Sequence, residues 1–215
     1  MKIKIVSLFT ALGLLTNAAV LGNSAKISYA SDFFYRGEQK ALESFQSSID
    51  VGAQVAGLEA SIHACTNQSV DSGVDSYGLA AGLGTSVLDG LLSTYVGFNH
   101  FEDVPGSALS EVTVKISVDS LLDPSLAVFR NVDDELYTFE GSVSHDIDLK
   151  IANLGLDASI GNTEVTESNS RDYYSVGAEL SRTIGSAVAS FGVDLVDADD
   201  LDREFVFASA LTFQF

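Results

Sequence analysis

Apolar and polar residues alternate with a period of two along most of this chain. Ile49, Val51, Ala53 and Val55 alternate with Ser48, Asp50, Gly52 and Gln54. Leu58, Ala60, Ile62 and Ala64 interleave with Glu59, Ser61, His63 and Cys65. The rhythm returns at Val112, Val114, Ile116 and Val118, at Leu154, Leu156, Ala158 and Ile160, and at Tyr174, Val176, Ala178 and Leu180. Successive side chains of a strand point to opposite faces, so this pattern predicts half-buried strands and no long helix. Twelve segments follow: about 26–36, 43–56, 58–66, 75–85, 91–102, 109–118, 124–131, 136–146, 151–162, 171–182, 187–197 and 203–215. The seventh leaves its facing open between Leu126/Val128 and Ala127/Phe129. The gaps at Gly57, 86–90, 119–123, 147–150 and 183–186 are short. Those at 66–74, 103–108, 132–135, 163–170 and 198–202 are mostly longer and rich in Asp, Glu, Asn and Ser.

Short turns at one end and longer polar loops at the other are the layout of an outer-membrane barrel, and an even strand number suits it. A soluble sandwich also buries one face of each strand. Three features favour the barrel. Aromatics on the apolar face gather toward the long-loop ends, at Phe33, Tyr35, Phe45, Tyr77, Phe98, Tyr137, Phe139, Tyr174, Phe205 and Phe207, as an interfacial girdle requires. The segments are long enough to cross a bilayer when tilted. The last segment, "REFVFASALTFQF", sets Phe205, Phe207, Leu211, Phe213 and Phe215 on one face. It resembles the carboxy-terminal signal read by the barrel-assembly machinery, and as a last strand it is expected to pair with the first. The expected fold is all-β: a transmembrane antiparallel up-and-down barrel of about twelve strands.

The amino-terminal stretch changes the domain picture. Lys2 and Lys4 precede an apolar run from Ile5 to Leu15 and then small residues. That order describes a cleavable signal peptide, 1–25, with the cut between Ala18 and Ala25. Asn17, Asn23 and Ser24 argue against a spanning helix. A single barrel domain, 26–215, then makes up the exported chain, bound for the bacterial outer membrane, where lipid and lipopolysaccharide would surround it. Thirty acidic residues against eleven basic ones give a formal charge of −19. Such a chain is poorly suited to nucleic acid, whose phosphates need Lys and Arg. One cysteine, Cys65, excludes an internal disulfide framework.

A sharper likeness lies near the start of the barrel. "SDFFYRGEQ", 31–39, resembles the opening motif of the TorF-like family of proteobacterial porins. "GLEASIHACTN", 57–67, and "VDSYGLAAG", 74–82, are similar to that family's second hairpin and the strand after it. His63 stands where the family usually has Trp, and Glu38-Gln39-Lys40 departs from the end of the opening motif. The resemblance covers the first third of the chain and implies a porin-like function.

On the polar face, Asp32 and Arg36 stand four apart around Phe34. They read either as an ion-filtering constriction or as part of a salt-bridge network that stiffens the barrel. Asp50, Glu59, His63, Lys115, Glu140, Asp157, Glu179 and Asp194 are further candidates for the lumen. Acid outnumbers base among them, so an open path is expected to favour cations. His63, His100 and His145 show no Ser-His-acid or metal spacing, and "SVSHD", 142–146, is too common a string to indicate catalysis. No enzyme activity, cofactor or metal is expected. "DADDLD", 197–202, lacks the spacing of a calcium loop and reads as a solvated loop. Two functions stay open. One is a porin passing ions or small polar solutes. The other is a non-conducting structural or surface-recognition barrel with acidic outward loops.

Overall fold

The computed structural model describes residues 19–70, 75–104, 106–166, 168–199 and 201–215. The apolar core of the expected signal peptide lies outside these residues. Every element among them is a strand: β1 (Ala19–Tyr35), β2 (Glu38–Val55), β3 (Leu58–Ser69), β4 (Asp75–Val87), β5 (Leu92–Val104) and β6 (Ala108–Val118). The second half adds β7 (Ser125–Asn131), β8 (Tyr137–Asp148), β9 (Asn153–Thr166), β10 (Asn169–Ile184), β11 (Ala187–Ala198) and β12 (Leu201–Gln214). Each pairs with its neighbours in sequence, and β12 closes onto β1 to give a twelve-stranded antiparallel barrel. Ile27 of β1 lies between Leu211 of β12 and Ser47 of β2 in this closure.

The register sorts every strand into two faces, because directly paired residues point the same way. Leu83, Val96, Val114 and Val128 form one continuous outward row. Leu126 is 70% exposed and Ile160 68%. With no second sheet to cover it, so large an apolar surface calls for lipid rather than water. The ambiguous seventh strand resolves with Leu126 and Val128 outward and Ala127 and Phe129 inward, since Leu126 pairs with Ile116.

The lumen face is built mostly from small residues, with single large rings laid over glycines. Gly82 and Gly97 are direct partners, and a Cβ on either would overlap the ring of Tyr95. Tyr173 covers its partner Gly161, and Phe101 covers Gly78, in the same way. A bare glycine pair in a ladder loses side-chain packing, and the neighbouring ring restores it.

The expected contrast in loop length between the two ends does not hold. β9 runs to Thr166 and β10 resumes at Asn169, while β11 ends at Ala198 and β12 resumes at Leu201. The connection from Val118 to Ser125, at the opposite end, spans more residues. Polar stretches such as 163–166 and 169–170 continue the ladder, with Ser170 paired to Glu164. Where both faces meet water the alternation disappears, yet the backbone hydrogen bonds persist, so composition suggested loops where strands continue.

The glycine–ring packing gives a test. Gly82→Val is expected to destabilise the barrel by about 1–3 kcal/mol, the usual cost of overpacking. The same change in a Tyr95→Ala background should cost clearly less, because the colliding ring is gone. Urea unfolding of the vesicle-folded barrel, run as a double-mutant cycle, measures both.

Candidate functional site

The mouth of the barrel is organised by the β1–β2 hairpin. Its two-residue turn, Arg36-Gly37, has φ values of 51° and 74°. Positive φ at both central positions matches the turn that suits strand twist, and glycine takes the second without strain. Gly37 is buried, and a Cβ there would crowd Tyr173 of β10 and Ala198 of β11. The tip therefore tucks into the bore instead of standing above it.

From this tip Arg36 reaches Glu111 of β6, nearly opposite β1 around the barrel. The pair is bidentate: Nη1 meets Oε1, and Nη2 donates to Oε2 at 2.7 Å. Tyr35 Oη donates to the same Oε2 at 2.9 Å. The guanidinium lies 3.7 Å from the centroid of Phe129 and 4.7 Å from that of Tyr35. Glu111 is only 3% exposed. Such a buried pair holds because its hydrogen bonds are filled and aromatic faces shield the cation. Tyr173, also buried, donates to Glu140 Oε2 at 2.7 Å on the adjoining wall. Charge, aromatic ring and turn together narrow the bore at one level.

Two cavities flank this bridge. One of about 350 Å³ is lined by Arg36, Glu38, Glu111, Thr138 and Arg171. Another, of about 490 Å³, lies against the β1–β6 wall and includes Tyr35, Lys26, Asp50, His63 and Phe101.

The residues marked in the sequence divide between the faces. Asp50, Glu59, His63, Lys115, Glu140, Asp157, Glu179 and Asp194 all take inward positions in the register. Asp50 and His63 are direct partners, with Oδ1 and Nδ1 2.6 Å apart. Asp157 and Asp194 both pair with Gly177, and a Cβ at that glycine would overlap both carboxylates. Glu179 follows two residues on along β10, on the same face, and makes this wall strongly acidic.

The first hairpin inverts part of the expected assignment. Glu43 adopts φ 44° opposite Ser31, and these two drop out of a β1–β2 ladder whose register is the same on either side, Ala30 with Ser44 and Asp32 with Leu42. A left-handed residue breaks the pleat, so the side chains beyond it take the other face; the extra residue of β2 comes only afterwards, at the register shift between Phe33 and Phe34. Phe33 and Tyr35, expected in the girdle, therefore line the lumen cavity. Asp32, expected in the lumen, pairs with Leu42, which is 54% exposed. Its carboxylate accepts from Gln39 Nε2 at 2.9 Å and from Ser31 Oγ at 3.0 Å. Arg36 keeps its inward place.

Phe45, Tyr77, Phe98, Tyr137, Phe139, Phe205 and Phe207 face outward and are exposed, as are Leu211 and Phe213 lower on β12. Phe215 is exposed, and its backbone N–H donates to Asn23 O at 3.1 Å. Tyr174 Oη donates to Asp197 at 2.7 Å and accepts from Arg203 at 2.8 Å. Asp197 thus serves an outward polar cluster, while Asp200 of the same acidic stretch lies outside the described residues.

Glu111, Phe129 and Tyr173 were missed by the sequence reading. Strand period alone puts Glu111 on the face of Lys115, and Tyr173 opposite Tyr174. Nothing local marks them as neighbours of the Arg36-Gly37 turn, since around the barrel β10 lies three strands from β1, β6 five and β7 six.

No family model matches the chain, and no curated protein matches it. Solved structures do. The KdgM porin, described in complex with disordered oligogalacturonate, aligns at TM-score 0.60 and 13% identity over 89% of this chain and 99% of that one. The COG4313 outer-membrane channel from Pseudomonas putida F1 aligns at TM-score 0.63 and 10% identity, covering 93% and 98% of the two chains. The NanC porin gives 0.57 and 10%, covering 89% and 98%. The fold is that of an outer-membrane β-barrel.

Removing the carboxylate alone should reveal the weight of the bridge. Glu111→Ala leaves a buried guanidinium unpaired, and is expected to cost about 3 kcal/mol, the low end for such a change, because the hairpin can swing toward water. The Arg36→Ala/Glu111→Ala double variant should lose less than Glu111→Ala, as read by urea unfolding in vesicles.

Proposed function

We infer that the protein is a porin-like barrel of the bacterial outer membrane that passes ions or small polar solutes and prefers cations. The observation that carries this reading is the lumen itself: small polar residues line it, ionisable groups face it, and the Arg36–Glu111 bridge narrows it. The resemblance of residues 31–39 and 57–82 to TorF-like porins agrees. Cation preference follows from the acidic wall of Asp157, Glu179 and Asp194, which makes no ion pair with Lys or Arg among the described residues, whereas Arg36 is matched by Glu111. Fixed carboxylates along a low-dielectric path raise the local cation concentration. The apolar belt would meet lipid, and Arg203, Asp197 and Tyr174 would sit at headgroup level beside lipopolysaccharide. β12, with its outward phenylalanines, is the strand that the barrel-assembly machinery would read.

The buried Arg36–Glu111 bridge also favours a second reading, a non-conducting structural or surface-recognition barrel. Conductance separates the two. In planar bilayers with a salt gradient, the porin reading expects a cation-selective reversal potential that weakens at high salt, since charges are screened over roughly 8–10 Å near physiological ionic strength. The Asp157→Asn/Glu179→Gln/Asp194→Asn variant should lower the cation-to-anion permeability ratio about twofold or more, and Asp199→Asn, outside the lumen, much less. Arg36→Ala should raise unit conductance. A correctly folded barrel that conducts in neither form supports the structural reading instead.

A further inference from the structure

The 490 Å³ cavity beneath the hairpin is built like a ligand site. Its volume lies in the range typical of small-molecule pockets. The register sets Lys26, Cys65 and Phe101 along one transverse row of the lumen wall. Asn67 and Asp103 lie on the next row. Tyr35 adds a second ring, 5.0 Å from that of Phe101 between centroids.

Asn67 is the decisive residue. It is 6% exposed, and neither Nδ2 nor Oδ1 has a hydrogen-bond partner among the described residues. Burying an unpaired amide costs roughly 1–3 kcal/mol, so such groups usually answer to a ligand or an ordered water. The charges around it are selective. Lys40 is bound to Glu38 at 2.9 Å, and Asp50 to His63 at 2.6 Å, so those four already have partners. Among the described residues Lys26 makes no ion pair, and the Asp103 carboxylate accepts only from the Ser107 hydroxyl, at 3.4 Å. What is left among the described residues lining the cavity is a cation and a carboxylate without an ion-pair partner, an amide with unused donor and acceptor, and two rings.

We propose that this cavity binds a small zwitterion of the amino-acid class. The solute's carboxylate meets Lys26, its ammonium meets Asp103, and its side chain lies on Phe101 and Tyr35; the Asn67 amide, closed off from the cavity in the empty barrel, turns toward the bound solute to donate and accept. A neutral sugar would leave both charges unmatched, and a plain carboxylate would leave Asp103 unmatched. This inference rests on the lumen being a solute path, and binding can be measured apart from conduction.

The chain's one cysteine, Cys65, lines the same cavity and serves as reporter. The full barrel in detergent is titrated calorimetrically with L-leucine, with 4-methylpentanoate, which lacks the ammonium, and with isopentylamine, which lacks the carboxylate. Glucose and glucuronate complete the panel. L-Leucine is expected to bind saturably and to slow Cys65 alkylation by iodoacetamide about fivefold or more, while each single-charge analogue binds about tenfold more weakly. Lys26→Gln and Asp103→Asn should each weaken L-leucine by a similar factor. Asn67→Leu should abolish binding yet leave the empty barrel at least as stable, because it removes an unpaired amide. Equal binding of the three leucine-like probes, tighter binding of either sugar, or no binding to a folded barrel overturns the proposal. Potassium conductance without leucine binding overturns this inference alone. Leucine binding without conductance supports the site and overturns the porin reading.

Discussion

A strand in a bilayer has no water to bond its N–H and C=O groups, and the whole structure answers to that constraint. β1 must pair on both sides, with β2 and with β12, or two rows of polar groups would face hydrocarbon. Closure fixes the register of all twelve strands, and the register decides which residues see lipid and which see the lumen. The outward apolar rows and the inward glycines, serines and carboxylates are two results of one closed ladder.

Closure also creates the problem that the first hairpin addresses. A twelve-stranded wall lined by small side chains leaves an open bore. The β1–β2 turn folds into it, and the left-handed backbone at Glu43 and the register shift between Phe33 and Phe34 make that inward path compatible with strand pairing. The bridge from Arg36 to Glu111 then ties together strands that share no backbone hydrogen bond. Desolvating both charges is costly, and the Tyr35 hydroxyl and the Phe129 face offset part of that cost. The same inward turn gives the neighbouring cavity Tyr35 as part of its lining.

The lumen is chemically lopsided. The β9–β11 wall carries carboxylates leaning over Gly177, while the β1–β5 wall carries Lys26, Asp103 and the unpaired amide of Asn67. A solute crossing the barrel would meet an acidic wall on one side and a mixed, partly aromatic site on the other. On the proposed reading, ion preference and solute recognition would rest on different strands, so that one could be altered without the other.

Strand number, barrel class, closure of β12 onto β1 and the outward set were legible in the sequence, because period two maps directly onto the two faces of a pleated strand. Most of the inward candidates followed from the same rule, from Asp50 to Asp194. The rule failed where local geometry broke the period: Phe33, Tyr35 and Asp32 changed faces because the left-handed backbone at Glu43, opposite Ser31, breaks the pleat, which alternation alone does not announce. It also failed at the mouth, where polar strand ends read as loops once both faces met water. The sequence by itself determined which residues can face lipid, since that depends on each strand's own pattern. Only the tertiary structure decided which inward residues meet, as Arg36 meets Glu111 and Lys26 shares a cavity with Asn67 and Asp103. Those meetings depend on closure, on shear and on how one hairpin folds into the bore, which couple residues far apart in the chain.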